Sequence, residues 1–326
     1  MTLKDTTISQ MNAFGKERIP FLFIIPFDSK EVIIQRLDTV DSNDIMFDFN
    51  GLTNVVEQRN VVIDKDFSID FSPYDFNSYS DQFQKVQSEI AYGNTYLINL
   101  TTKTNLLSKL DLKDVFSIAK AKYKLLYKDL FCCFSPEIFV QIKENRIYSF
   151  PMKGTIDGSI ENAENILLND NKETAEHYTI VDLIRNDLNL VSKNVRVERF
   201  RYLERIETQR GSILQMSSEI CGVLEDNWCE NLGTIFSKLL PAGSITGAPK
   251  ERTVEIINSV ETYKRGFYTG VAGVFDGNSV DSGVLIRFIE KEGGDEYCYK
   301  SGGGITMNSD VNSEYKELQH KIYIPK

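Results

Sequence analysis

Histidine, tryptophan and proline are scarce in this chain: its 326 residues hold two histidines, one tryptophan and eight prolines. With only His177 and His320 present, zinc centres and histidine-centred catalytic triads are nearly excluded. Cys132, Cys133, Cys221, Cys229 and Cys298 form no CxxC pair and leave an odd count. They read as reduced thiols of a cytoplasmic protein, without a disulfide framework. Long apolar runs are missing too. The longest, Phe21 to Phe27, is broken by Pro26 and falls far short of the roughly 20 residues a membrane-spanning helix needs. The segment from Met1 to Gln10 is polar and lacks the apolar stretch of a signal peptide. Positive charge is in deficit, with 37 Lys and Arg against 47 Asp and Glu, a net charge of −10, and no basic block. That argues against nucleic acid and against anionic membrane surfaces as partners.

What the chain does have is an ordinary globular balance, 41% hydrophobic and 26% charged residues. It shows no internal repeat, low-complexity tract or Pro/Ser-rich linker, which predicts one domain over residues 1–326, with an N-terminal region to about 75 and a core over 80–326. In the first 75 residues, strand-like runs at Phe21–Ile25, Val32–Leu37 and Asn60–Ile63 alternate with turn residues. Ser80 or Asp81 is placed to cap a helix with Phe83, Val86 and Ile90 on one face, ending at Gly93. Further along, strands are expected at Tyr96–Thr101, Phe131–Phe134, Ile138–Ile142, Ile147–Phe150, Val195–Phe200 and Ile213–Ile220. Helices are expected at Leu112–Tyr127, Asn162–Leu168, Glu173–Leu188, Asn231–Leu239 and from Pro249. A strand pair at Tyr268–Phe275 and Asp281–Ile289, one more strand and a terminal helix complete the chain. Runs of tightly connected strands separated from runs of helices indicate an α+β protein with antiparallel sheets.

Candidate chemistry gathers at a few places. Lys153 follows the strand-like run Ile147–Phe150 and Pro151, and precedes Gly154 and Thr155. A lysine at a strand end beside a pocket can lose its proton and act as a nucleophile, while Gly154 lets the backbone approach a ligand and Thr155 offers a hydroxyl. Glu173 and Glu176 on one helix, and Glu314 and Glu317 on another with Lys321 one turn on, lie at i, i+3 spacing on single faces. Asn171 and Asn312 or Ser313 are candidate N-caps for these helices. Four carboxylates in one pocket need a counter-ion, and oxygen-only ligation points to Mg²⁺. Glu317 to His320 also spells ExxH, but a di-iron bundle needs two such motifs on four helices, and this chain supplies one among many strands. The small-residue loop from Pro241 to Lys250 carries Ser244 and enters a helix, which makes it a candidate anion site, without the spacing of a P-loop. Ser301-Gly302-Gly303-Gly304 is a second place where backbone could come close to a ligand.

These segments together resemble the chorismate-utilising enzymes, the family of anthranilate, aminodeoxychorismate, isochorismate and salicylate synthases. The resemblance runs from about Phe83 to Lys321 through GNTYLINLT at 93–101, FSPE at 134–137, PMKGT, AEHYTIVDLIRNDL, GSITGAPK, RGFYTGVAG and SGGGITMNSD…SEYKELQHK. It implies a layered β/α/α/β sandwich with the site between the sheets, and one Mg²⁺ bridging the ring carboxylate of chorismate to the protein. Glu176 and Glu317 match direct metal ligands, and Glu173 and Glu314 the metal's water shell. Tyr268 and Arg287 match residues that hold the enolpyruvyl carboxylate; Gly303 and Gly304 offer N–H groups, Ser244 a hydroxyl and Lys321 a charge.

Lysine at position 153, where most relatives carry alanine, is the pattern of the aminodeoxychorismate-forming branch. There the lysine is thought to attack C2 of chorismate and expel the C4 hydroxyl, after which ammonia adds at C4 to give 4-amino-4-deoxychorismate. An ordinary lysine, with a pKa near 10.4, is neutral only about one time in a thousand near pH 7.4; burial and a nearby metal ion are both expected to lower that value. Leu97 stands where water-using relatives carry a lysine, which argues against water as the nucleophile, and Gln215 stands where a histidine is usual. No glutaminase elbow surrounds any of the cysteines, so the ammonia is expected from a separate glutamine amidotransferase subunit. Anthranilate formation is the rival reaction, and a catalytically silent chorismate-binding subunit the rival of another class.

Overall fold

The computed structural model describes residues 2–55, 69–208 and 211–325. Its first element is a helix that the strand-like reading of this region does not contain, α1 (Asp5–Lys16), which buries Met11 and Gly15. β1 (Phe21–Ile25) is buried along its whole length, as befits a strand covered on both faces. β2 (Ile33–Arg36), β3 (Ile45–Phe49) and β4 (Leu52–Thr53) follow; the expected strand at Asn60–Ile63 lies outside the described residues. α2 (Phe76–Ala91) begins five residues before Asp81 because Asp75 caps it, its carboxylate accepting from the N–H of Ser78 at 2.7 Å. Tyr79, Phe83, Val86 and Ile90 form its buried stripe.

β5 (Leu97–Leu106) leads to α3 (Leu112–Ile118), which stops well short of Tyr127. Ala119 turns to extended backbone, and Tyr123-Lys124-Leu125-Leu126-Tyr127 forms a strand, β6, opposite β7 (Phe131–Ser135). Aromatic and branched residues favour a pleated, half-buried surface, and the pairing with β7 wins over local helix propensity. β8 (Ile138–Lys143), β9 (Arg146–Ser149) and β10 (Met152–Asp157) come next, then α4 (Ala163–Asn169), α5 (Asn171–Asn189), and the long hairpin of β11 (Lys193–Thr208) and β12 (Gly211–Val223). α6 (Leu232–Leu239), the short β13 (Gly247–Ala248) and α7 (Lys250–Val260) complete the middle of the chain, with Pro249 as the N-cap of α7.

The last strands are β14 (Val271–Phe275), β15 (Val280–Val284), β16 (Phe288–Gly293) and β17 (Glu296–Ile305), before α8 (Val311–His320). The expected single strand over Asp281–Ile289 is in fact two, β15 and β16, in different sheets.

The strands form two sheets. One runs β10-β12-β9-β8-β15-β14-β1-β2 with β11 on β12; the other runs β13-β5-β17-β16-β7-β6-β3-β4. Pairing is antiparallel throughout the ladders, for example Phe23↔Gly273, Gly303↔Leu100 and Phe47↔Leu125. Helices α2, α5, α6 and α7 contribute Phe83, Ile180, Phe236 and Ile256 to one core shared with Phe21 and Ile142 of the first sheet and Ile98 and Ile305 of the second. At the other end the sheets pack directly, Leu22 and Ile24 against Phe47, Phe131 and Phe288. This is the expected α+β sandwich of two sheets with helices between them.

Two of the chain's passages from sheet to sheet lie side by side. Pro136-Glu137 links β7 to β8, and Leu285-Ile286-Arg287 links β15 to β16. The N–H of Phe134 donates to the carbonyl of Arg287 at 3.1 Å, and the N–H of Val284 to the carbonyl of Glu137 at 3.0 Å. Arg287 bends through the left-handed region at φ 56° to make the step.

Candidate functional site

Lys153 stands on β10, next to Gly154, whose φ of 80° suits glycine. Its Nζ lies 3.2 Å from Oε2 of Glu176 on α5. Glu176 is 9% exposed, drawn inward on the same helix face as Ile180. Its helix is capped by Asp170 rather than Asn171, and α8 by Asp310 rather than Asn312 or Ser313, because an aspartate one step before the first turn accepts from the first-turn N–H groups of Glu173 and Ser313. A Cβ built on Gly154 would sit 3.3 Å from Oε2 of Glu173, so this second carboxylate borders the same strand.

β17 supplies the facing wall. A Cβ on Gly304 would lie 3.2 Å from both Lys153 Nζ and Cδ1 of the buried Leu97, and one on Gly303 would lie 3.4 Å from Oε2 of Glu314 and 4.0 Å from Oε1 of Glu317. These two glycines leave room that any side chain would fill. Lys321 donates to Glu317 Oε1 at 2.7 Å and to the carbonyl of Gly302 at 2.8 Å. Glu173, Glu176, Glu314, Glu317, Lys153 and Lys321 are thereby brought together. Thr155 pairs through its backbone with Gln215; its side chain lies outside the described residues.

Ser244, in the loop before α7, donates to Oε1 of Glu137. Glu137 closes the FSPE motif, which by itself assigns its carboxylate no role. The visible signal is an acid directly after Ser-Pro between two apolar runs. Burial raises its pKa above the usual carboxyl value, against the hydrogen bond from Ser244 and the charges of Lys153, Arg287 and Lys321. Tyr268 is buried and its ring centroid lies 5.8 Å from that of Phe288. Arg287, from the adjoining crossing, places its guanidinium 5.3 Å from the Tyr323 ring.

Electrostatics corrects one expectation. Burial does act to lower the pKa of Lys153, but Glu176, Glu317 and Glu173 outweigh it and hold the ammonium above its ordinary value. Lys321 is shifted the other way, burial lowering it, with Glu317 opposing and Arg287 and Lys153 adding to the effect. Among the described residues no three acid, histidine or cysteine side chains form a ready cage for a metal, since Lys153 and Lys321 pair with Glu176 and Glu317. The donor set, four carboxylates from two helices with no nitrogen or sulfur, nonetheless fits a hard divalent cation that keeps waters and takes one or two carboxylates.

No helix among the described residues is long and apolar enough to cross a membrane. The family model for chorismate binding enzymes matches residues 45–325. An uncharacterized PabA-like protein of Haemophilus influenzae is 47% identical over 321 residues, covering 98% of this chain and 96% of that protein. Aminodeoxychorismate synthase component 1 of Bacillus subtilis is 31% identical over 267 residues, which is 77% of this chain and 55% of that protein. Among solved structures, a 2,3-dihydroxybenzoate-specific isochorismate synthase, DhbC, from Bacillus anthracis superposes with a TM-score of 0.71 at 19% identity, covering 98% of this chain and 89% of that one. Anthranilate synthase component I from Streptococcus pneumoniae gives a TM-score of 0.66 at 25% identity over 78% of this chain and 59% of that one. The chain belongs to the chorismate binding enzymes.

Proposed function

We propose that this protein converts chorismate and ammonia to 4-amino-4-deoxychorismate and water, with Lys153 as a covalent nucleophile. The observation that carries the reading is the placing of Lys153 Nζ between Glu176 and the open backbone of Gly304, one residue from the Gly303 position bordered by Glu314 and Glu317. The relative named aminodeoxychorismate synthase component 1 supports the same choice of reaction.

In this reading Arg287 and Tyr268 hold the enolpyruvyl carboxylate, and Lys321, with the N–H groups of Gly303 and Gly304, approaches the ring carboxylate. Ser244 orients Glu137. Glu176 and Glu317, with Glu173 and Glu314 beside them, would hold Mg²⁺, which would supply positive charge against the ring carboxylate and offset the glutamate charge that keeps Lys153 protonated. Neutral Lys153 attacks C2; the ring double bonds shift, the C4–O bond breaks, and Glu137 delivers its proton so that water leaves. Ammonia then forms the C4–N bond, the C2–N bond breaks, and Lys153 is released. Glu137 is reprotonated by the incoming ammonium. A buried carboxyl with a raised pKa is suited to that task, and it supplies the acid that Gln215 cannot. Leu97, buried against the same space as Lys153, keeps water from the attacking face. Ammonia comes from a separate glutamine amidotransferase subunit, or from ammonium salt in vitro, and the protein works in the cytoplasm.

The test is product identification by mass spectrometry after incubation with chorismate, Mg²⁺ and ammonium at pH 8.5. Aminodeoxychorismate is expected. Anthranilate would replace the proposed reaction with the rival one, and unchanged chorismate, with glutamine and an amidotransferase also supplied, would leave a binding subunit.

A further inference from the structure

Two hydroxyls beside the glycine strand, those of Ser301 and Thr102, take no part in the proposed reaction. Ser301 on β17 stands directly opposite Thr102 on β5 in the ladder, and directly opposed residues in an antiparallel pair point to the same face. Ser301 is 3% exposed and Thr102 1%, and neither side-chain oxygen meets a hydrogen-bond partner among the described residues. Buried hydroxyls nearly always find one. Both are therefore buried donors and acceptors without a partner among the described residues.

Their neighbourhood says what would satisfy them. Side chains alternate along a strand, so Gly303, two residues on, shares the face of Ser301, and it is the glycine bordered by Glu314, Glu317 and Lys321. Tyr299, two residues back, donates its hydroxyl to the carbonyl of Tyr323 at 3.1 Å, and the Tyr323 ring is the one beneath the Arg287 guanidinium. The pairing Phe288↔Lys300 ends the β16–β17 ladder at this level, so that Arg287 enters beside Ser301. Nε of Arg287 is likewise buried and without a partner among the described residues. These three polar groups, one of them cationic, thus lie along one strip between the carboxylate cluster and Tyr323, together with the Thr104 hydroxyl opposite Tyr299, which also has no partner among the described residues.

We propose that Ser301, with Thr102 behind it, is a substrate-contacting subsite for a carboxylate, both hydroxyls donating to the anionic arm that Arg287 holds. The inference rests on the chorismate reading above and adds to it the residues that select for an anion at this end of the ligand. A cation cannot occupy the strip beside Arg287, and an apolar group would leave three polar atoms unanswered.

The test is equilibrium binding of chorismate, with Mg²⁺ present, to the full-length protein, Ser301→Ala and Thr102→Val, using 4-hydroxybenzoate as a second ligand that keeps the ring carboxylate but lacks the enolpyruvyl arm. Both changes are close to isosteric, and circular dichroism checks that the variants fold. A lost hydrogen bond to a charged group should weaken chorismate about tenfold in Ser301→Ala, less in Thr102→Val, and leave 4-hydroxybenzoate unchanged in both. If the wild type binds no chorismate, the proposed function fails. If it binds and Ser301→Ala binds equally well, or if both ligands weaken alike, the subsite is overturned while the proposed function stands.

Discussion

In a Glu137→Gln variant the buried carboxyl becomes an amide of the same shape, which can still accept the hydrogen bond from Ser244. Geometry is kept while the acid is lost, so the change isolates proton delivery. General acid catalysis contributes about 10²–10⁴ in rate, or about 3–5 kcal/mol of barrier at 1.36 kcal/mol per tenfold. Single-turnover loss of chorismate, with Mg²⁺ and ammonium, should slow by that factor. Stability should move the other way. Burial raises the Glu137 pKa, so the folded protein binds this proton more tightly than the unfolded chain does. The resulting stabilisation is complete below the ordinary carboxyl pKa and is lost as pH rises through the raised folded value. The amide has no such dependence, so the melting temperature of the variant should gain on that of the wild type as pH increases. In the wild type the rate should fall as pH rises through the same pKa. Ser244→Ala, which removes a bond that lowers this pKa, should shift that descending limb to higher pH. A variant that keeps its rate within about threefold would refute the assignment of Glu137 as the acid.

Lys153→Ala should abolish any covalent adduct seen by intact-protein mass spectrometry after quenching with chorismate, while chorismate and Mg²⁺ still bind. In Gly304→Ala the added carbon lies 3.2 Å from Lys153 Nζ and Leu97 Cδ1, tighter than ordinary packing, so the rate should drop at least tenfold with little change in urea unfolding. Removing divalent ions with EDTA should stop turnover, and added Mg²⁺ should restore it; turnover in EDTA would remove the ion from the mechanism. Arg265 and Glu261 form a bidentate pair whose side chains are 1% and 2% exposed. Arg265→Met would leave a buried charge unpaired and should cost about 3–5 kcal/mol of unfolding free energy, read from urea titrations.

The glutamate pairs were legible because i, i+3 spacing on a helix is a local fact, and both pairs do converge on Lys153 and Gly303. The lysine and the glycine run were legible for the same reason. What the chain hid depended on partners distant in sequence. The stretch Tyr123–Tyr127 passes for the end of a helix until β7 is there to pair with it. Glu137 becomes a site residue only through Ser244, 107 positions away. The pKa of Lys153 needed the sum of several charges, because the glutamates outweigh the lowering effect of burial. Asp75, Asp170 and Asp310 were missed as caps because the sequence offered polar residues a step or more later in each case.

The paired crossings between the sheets have a mechanical meaning. The segments 131–143 and 280–293 run alongside one another from one sheet into the other, tied by the bonds between Phe134 and Arg287 and between Val284 and Glu137. Glu137 and Arg287 therefore ride on a single two-stranded ribbon, and their separation is fixed by its ladder. Lys153 belongs to one sheet and Gly303 to the other. Any sliding or breathing of the sheets leaves the acid and the anion holder in step and changes the gap across which the nucleophile must reach. A ligand gripped by both walls would act as a strut between the layers, so occupancy of the site should stiffen the sandwich, an effect that amide hydrogen exchange on β10 and β17, the strands that carry the two walls, would register.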